Sequence, residues 1–310
     1  MNNLETLAPR WYSSEDVATS ISPARARCLI EAALQEDFDP ADDPARVNSP
    51  LGTGHLLLMP SIIGRWAGIK IAAVGPDNPS HGKPRIQATY ILMDSLTLSP
   101  VALMEGSLLT ALRTPAVSAA AANRLSAADA SELLIFGTGI QAWGHLVAMA
   151  EIRTLTTVMI SGRSAEKVDD LVQRAQSLGL NARVARESDI ATADIIVCAT
   201  SASEPLFDGS TVKDGACIVA IGSHETDRRE LDSKLMGRSH VVVEGVAAAL
   251  REAGDVVIAI DEGELETARL STLSGLLRGS FDRSTDRPNV FKGSGMAWQD
   301  LAIAIGIHEG

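Results

Sequence analysis

A chain of 310 residues with 45% apolar composition can bury a large core and suggests about two domains. Its formal net charge of −12 opposes nonspecific binding to nucleic acid or to an anionic membrane surface, and nothing in it resembles a basic arm. Residues 1–20 lack the basic-then-apolar pattern of a leader and no apolar run is long enough to span a bilayer, so a cytoplasmic address is expected.

In chain order, Ser22-Pro23 is a helix entry, with Ser as cap and Pro in the first turn, and Ala26, Leu29, Ile30, Ala33 and Leu34 then recur on one face. The acidic, proline-containing stretch 36–44 reads as a loop leading to Arg46. The apolar run Leu56 to Met59 is a strand expected to stop at Pro60. A second strand, Trp66 to Val74, carries Lys70 between Ile69 and Ile71, so Lys70 points opposite to those isoleucines. Arg85 to Asp94 and Pro100 to Met104 form a hairpin around Ser95 to Ser99. Thr114 then reads as the cap of an alanine-rich helix that opens on Pro115, which leaves Arg113 just outside a positive helix end and calls for an anion nearby.

Residues 131–147 read as a buried strand, a glycine turn and a helix start, with the pattern G-x-G-x-x-A at Gly137, Gly139 and Ala142. Gly137 permits a backbone angle closed to other residues, Gly139 lets a pyrophosphate approach the main chain, and the bare N–H groups around Thr138, Ile140 and Gln141 face a dianion. A structural turn in an α/β sheet is the alternative reading. The next strand ends in Ser161-Gly162-Arg163-Ser164 with no acidic residue to hold both ribose hydroxyls; Arg163 with Ser164 suits a 2′-phosphate, which favours NADP, with NAD as the alternative. A solvated Arg capping the turn before the helix from Glu166 to Leu178 accounts for the same residues.

From Ser131 onward, short apolar strands (Leu133 to Phe136, Val158 to Ser161, Ala182 to Ala185, Ile195 to Cys198, Ile218 to Ile221, Val241 to Val243) alternate with helices, the signature of a parallel sheet covered on both faces. The tail, Val290 to Met296 and a helix from Ala297 to Ile307, is free to leave that sheet and pack on the first part. Cys28, Cys198 and Cys217 lie far apart and read as core packing, and the histidines form no pair at ligand spacing, so no catalytic metal is expected.

Several blocks together resemble the ornithine cyclodeaminase and mu-crystallin family: Leu58-Met59-Pro60, Gly68-Ile69-Lys70, Leu109-Thr110-Ala111-Leu112-Arg113-Thr114-Pro115-Ala116, Gly137-Thr138-Gly139-Ile140-Gln141-Ala142, Gly222-Ser223-His224, Arg229-Glu230-Leu231-Asp232 and Phe291-Lys292-Gly293-Ser294-Gly295. The resemblance implies an α/β protein with a Rossmann-type doubly wound parallel sheet (115–295) that binds NAD(P). It also implies an α+β substrate-binding and dimerisation domain from residues 1–114 and 296–310, in a homodimer that acts at the Cα–N bond of an amino or imino acid. It further implies that Arg46, Lys70 and Arg113 hold the substrate carboxylate, and that Thr200 and Ser201 contact the ribose and nicotinamide side of the cofactor.

A carboxylate held by two guanidinium groups and an ammonium has its Cα positioned for hydride transfer. Cyclodeaminases of the family resemble one another in an Asp where this chain has His224 and in an acidic residue where it has Leu57; with Arg163-Ser164, these departures favour an NADPH-preferring reductase of a small cyclic α-imino acid. The alternatives are ornithine cyclodeamination with bound NAD, alanine-dehydrogenase-like reductive amination, and a mu-crystallin-like protein that binds NADPH and a ligand without turnover. Lys70 is the first candidate proton donor, because burial beside two arginines lowers its pKa, and His224 and Asp227 are secondary ones. Arg85 is either a fourth cation at the site or a solvent-facing charge.

Overall fold

The computed structural model describes residues 8–35 and 38–310; the readings of residues 1–7 and of Glu36 and Asp37 in the acidic loop lie outside the described residues. The chain divides into two compact units, Met1–Arg113 with Met296–Gly310, and Thr114–Gly295.

The first unit opens with β1 (Arg10–Tyr12), α1 (Ser14–Ser20) and α2 (Pro23–Gln35), followed by β2 (Val47–Leu51), β3 (Gly54–Ile63), β4 (Trp66–Val74), β5 (Ile86–Asp94) and β6 (Pro100–Glu105). The strands form one six-stranded sheet in the order β1-β6-β5-β4-β3-β2, antiparallel except where β1 runs parallel to β6. α1 is set by a capping box between Ser13 and Asp16, a pattern the sequence reading passed over. α2 enters as expected, with the Ser22 hydroxyl accepting from the Arg25 N–H, and buries Ala26, Ile30, Ala33 and Leu34. Cys28 lies off that face and is exposed, a correction to its reading as core; Cys198 and Cys217 are buried.

Pro60 does not end its strand. It lies within β3, past Leu58, the last β3 residue before it paired with β2, so its missing N–H falls where the edge toward β2 is already open.

The largest departure is α3 (Gly106–Leu125), which starts well before Thr114 and carries Pro115 in its interior. The Glu105 carboxylate accepts from the N–H groups of Ser107 and Leu108, so an acidic cap starts the helix at its positive end. Pro115 forfeits one backbone bond, and the alanines after it sustain the helix. Arg113 therefore projects from inside α3 and not from beside a helix start, and the carboxylate near it is Asp300, with Glu105 serving as the cap.

The second unit alternates β7 (Glu132–Phe136), α4 (Ile140–Ile152), β8 (Thr157–Ser161), α5 (Ala165–Ser177), β9 (Ala182–Val184), β10 (Ile195–Cys198), β11 (Cys217–Ala220), α6 (Ser233–Arg238), β12 (His240–Val243), α7 (Val246–Glu252), α8 (Gly254–Asp261), β13 (Leu270–Thr272), α9 (Leu273–Leu277) and β14 (Asn289–Lys292). All eight strands are parallel, in the order β13-β12-β14-β11-β10-β7-β8-β9. The residues of β10 and β11 are buried throughout, as strands covered on both faces must be. From β7 the chain winds outward through β8 to β9, then restarts on the other side at β10, which makes the β7/β10 boundary the topological switch point of a doubly wound sheet. β14, read in the sequence as part of a detachable tail, is inserted between β11 and β12.

α10 (Ala297–Glu309) returns to the first unit and packs on β3, β4 and β5. Under it, Met59, Lys70, Tyr90 and Met104 stand in register across β3 to β6, and all are buried. Lys70 does point away from Ile69 and Ile71, which are only half-buried.

Candidate active site

At the switch point, β7 runs into Gly137, whose φ of 120° and close approach to the Ala199 carbonyl leave no room for a β-carbon. Ala142 is wholly buried, so α4 lies close on the strand. Gly139 is the N-cap of α4 and offers no side chain to the first turn, and an added Cβ there would meet nothing within 4 Å. Thr138 and Gln141 are half-buried and Ile140 is 66% exposed. This is an open cradle of N–H groups at a positive helix end, and its residues fit the pyrophosphate of a dinucleotide.

Arg163 is exposed after β8. The Ser164 hydroxyl accepts from the Lys167 N–H at 3.4 Å and caps α5, which leaves its O–H to donate.

Thr200, after β10, is half-buried, and Ser201 is exposed. The Thr200 N–H and hydroxyl both donate to Glu230 Oε1 at 2.8 and 2.7 Å, while the Gly222 N–H donates to Oε2 at 2.7 Å. One carboxylate thus ties the loop after β10 to the loop after β11. Asp255 Oδ1 accepts in turn from the N–H groups of Glu230 and Leu231 at 2.7 and 2.9 Å. Lys292 Nζ reaches the Ser223 carbonyl at 2.6 Å and Asp255 Oδ2 at 3.2 Å. Burial raises the pKa of Glu230, and the Lys292 charge opposes the rise. The sequence reading quoted Glu230 and Lys292 only as parts of family blocks and missed Asp255. His224 and Asp227 are exposed residues of the loop between β11 and α6.

A second constellation is built wholly from the first unit. Lys70 on β4 is 3% exposed, and its Nζ donates to Asp300 Oδ2 at 2.7 Å and to Thr110 Oγ1 at 3.1 Å. Arg113, 7% exposed, donates from Nη1 to Gln299 Oε1 at 2.8 Å and brings Nε to 3.7 Å from Asp300 Oδ1. Arg46 is half-buried in the segment before β2, and its charge acts on Lys70. Burial is the main cause that lowers the Lys70 pKa to about 8; Asp300 opposes it, and Arg113 and Arg46 add to it. Lys70 and Arg113 thus meet around a carboxylate that the sequence reading did not name. The signal was present in Gln299-Asp300, a polar pair inside the otherwise apolar run from Ala297 to Ile307.

Arg85 is exposed in the segment before β5. Among the described residues, no group of three or more His, Cys, Asp and Glu is placed to hold a metal ion, and no helix is long and apolar enough to cross a membrane.

The family model for the ornithine cyclodeaminase/mu-crystallin family matches residues 11–310. The chain is 36% identical over 289 residues to a Delta(1)-pyrroline-2-carboxylate reductase of Bacillus cereus, covering 89% of each chain. It is 31% identical to ketimine reductase mu-crystallin of Mus musculus over 96% of each chain. The Delta(1)-pyrroline-2-carboxylate reductase of Thermococcus litoralis, solved in complex with NADH and L-proline, superposes with a TM-score of 0.90 at 27% identity, over 97% of this chain and 96% of that one. A match along the full family model, carried by relatives above 30% identity, places this chain in the ornithine cyclodeaminase/mu-crystallin family.

Proposed function

We propose that the protein is an NAD(P)H-dependent imine reductase that acts on a small cyclic α-imino acid of the Δ1-pyrroline-2-carboxylate or Δ1-piperideine-2-carboxylate type, with NADPH preferred, and works as a cytoplasmic homodimer. The observation that carries the reading is a buried Lys70, held near its titration point and set beside Arg113 and Arg46, in a chain akin to reductases. Exposed apolar residues on the six-stranded sheet, among them Val47, Leu51 and Ile86, support a partner protomer.

Gly137 to Gln141 would hold the pyrophosphate, Arg163 and Ser164 a 2′-phosphate, and the loop of Thr200 and Ser201 the ribose and nicotinamide side. When bound, the reduced nicotinamide supplies the hydride that adds to the imine carbon. Arg113 and Arg46 bind the substrate carboxylate and fix its orientation. Lys70, as an ammonium, gives a proton to the nitrogen as the C=N electrons move onto it. His224 and Asp227, exposed in the loop after β11, are the secondary candidates for the donor.

The pH dependence follows from the sign of the Lys70 shift. The group donates only while protonated and its pKa lies at about 8, so kcat/KM is expected to fall as pH rises through about 8 rather than near the ordinary lysine value. A profile of initial rates from pH 6 to 10 measures this, taking about 8 as the midpoint. A flat profile would remove Lys70 from the proton step.

The test of the function is oxidation of NADPH and NADH with cyclic imino acids, with pyruvate plus ammonia, and, in the other direction, with ornithine. Reduction of the cyclic imino acids is expected. Ornithine converted to proline with ammonia release and no added reductant would replace this reading with cyclodeamination. Arg163→Asp is expected to lower the NADPH-to-NADH ratio of kcat/KM by about ten- to a hundredfold, the worth of one charge-assisted hydrogen bond. An unchanged ratio would leave Arg163 as a surface cap.

A further inference from the structure

The covered face of the first unit's sheet contains buried polar atoms that the clamp does not use. Tyr90 Oη, Ser61 Oγ and Asp300 Oδ1 are buried with no hydrogen-bond partner, and so is Asp43 Oδ2. Tyr90 is 0% and Ser61 4% exposed, so these hydroxyls are cut off from bulk solvent. Burying such groups without a partner is costly, and each points to internal water.

Their placement is ordered. Tyr90 stands opposite Lys70 in the β4/β5 register, but its hydroxyl passes over Gly68, where an added β-carbon would collide with it. Gly68 stands opposite Ser61 in the β3/β4 register. The Tyr90 ring therefore starts in the row of Lys70 and ends in the row of Ser61. Beside Ser61, the Ile62 N–H donates to Asp43 Oδ1 at 3.4 Å, and the Trp298 N–H in the first turn of α10 faces the same carboxylate. The Ser61 hydroxyl moderates the charge of Asp43 without closing a full hydrogen bond. Asp43 is half-buried, with Oδ2 turned inside and the rest of the residue partly open to solvent.

We propose that Tyr90, Ser61 and Asp43, joined by internal water, form a proton path that returns to Lys70 and Asp300 the proton spent on each imine reduced. The proposal rests on the reductase reading. In each turnover the hydride goes to the imine carbon, the Lys70 proton goes to the nitrogen, and one proton enters from solvent at Asp43 to restore the Lys70 ammonium. Both Asp300 and Asp43 act on Tyr90 by charge and, with burial as the larger cause, hold its phenol well above the ordinary range, so Tyr90 relays a proton as a neutral hydroxyl and does not ionise. Burial, with a smaller addition from the charge of neighbouring Asp42, lifts the Asp43 carboxyl to about 6, which lets it take up and release a proton near neutrality. The charges of Arg113 and Arg46 also act on Lys70 and lower its pKa.

Tyr90→Phe and Ser61→Ala in the full-length enzyme test the path. Each is expected to lower kcat for the imino acid by about tenfold while KM stays within about twofold, and to raise the solvent deuterium isotope effect on kcat. Tyr90→Phe keeps the ring and its packing and removes a hydroxyl with no protein partner, so its denaturation midpoint should stay close to that of the wild type. A purely packing role for Tyr90 predicts unchanged kcat and an unchanged isotope effect in this variant. Unchanged kcat in both variants overturns the path. A high-resolution crystal structure gives a readout free of turnover: ordered waters linking Tyr90 Oη, Ser61 Oγ, Asp43 Oδ2 and Asp300 Oδ1 are expected, and a dry interior there also overturns it. If the wild type reduces no imino acid, the reductase reading fails in the assay, while the hydration result still decides whether the path exists.

Discussion

Lys70→Met should lower kcat by about a thousandfold, within the range known for loss of a positioned proton donor, and should erase the limb of the pH profile near 8. Methionine keeps the unbranched stem that fills the space on β4, so the sheet retains its packing. What disappears is the ammonium that pairs with Asp300 at 2.7 Å. Asp300 then stays buried with Arg113 Nε at 3.7 Å as its remaining cation among the described residues, and a poorly matched buried charge of that kind costs about 3–5 kcal/mol. The single variant should therefore lose both activity and stability. Adding Asp300→Asn removes the stranded charge and leaves Arg113 its bond to Gln299. The double variant should recover most of the denaturation midpoint and none of the rate. Full recovery of rate would show that the proton comes from elsewhere, and the separation of the two readouts distinguishes chemistry from folding.

Glu230→Ala should destabilise the protein by about 3–5 kcal/mol and weaken dinucleotide binding in the fraction that remains folded. The Glu230 side chain is 0% exposed and accepts from Thr200 N–H, Thr200 hydroxyl and Gly222 N–H, so truncation strands each of these donors. It also frees the loops after β10 and β11 from each other, and Thr200 belongs to the loop proposed to touch the cofactor. Glu230→Gln is no substitute, because its amide NH2 must face one of those donors. Chemical denaturation measures the first effect and NADPH titration by fluorescence the second. A midpoint within about 0.5 kcal/mol of wild type would mean that water replaces the carboxylate without loss.

The legible parts of the fold share a cause. Leu133 to Phe136, Ile195 to Cys198 and their neighbours read correctly as strands because a strand covered on both faces must be apolar throughout. Alternation along Trp66 to Val74 set Lys70 opposite to Ile69 and Ile71, but which of the two faces is covered became visible only with α10 packed on β4. Thr114-Pro115 misled for an equally physical reason: Ser, Thr or Asp before Pro is the ordinary opening of a helix, and it outweighed the weaker local signal of Glu105, which caps Ser107 and Leu108. β14 stayed hidden because its lysine reads as a solvent-facing charge until Asp255 and the Ser223 carbonyl are seen beside it. Asp300 sits 230 residues from Lys70 in the chain, a separation that no local pattern can bridge.

The insertion of β14 between β11 and β12 bears on biosynthesis. During translation, β12 and β13 emerge with no neighbour on the β11 side, and Asn289–Lys292, which follow them in the chain, bridge the gap. The next residues to leave the ribosome are those of α10, which bring Asp300 to Lys70. Both units thus depend on residues 289–300, so a nascent chain interrupted before them would be left with a divided sheet and a lysine without its carboxylate.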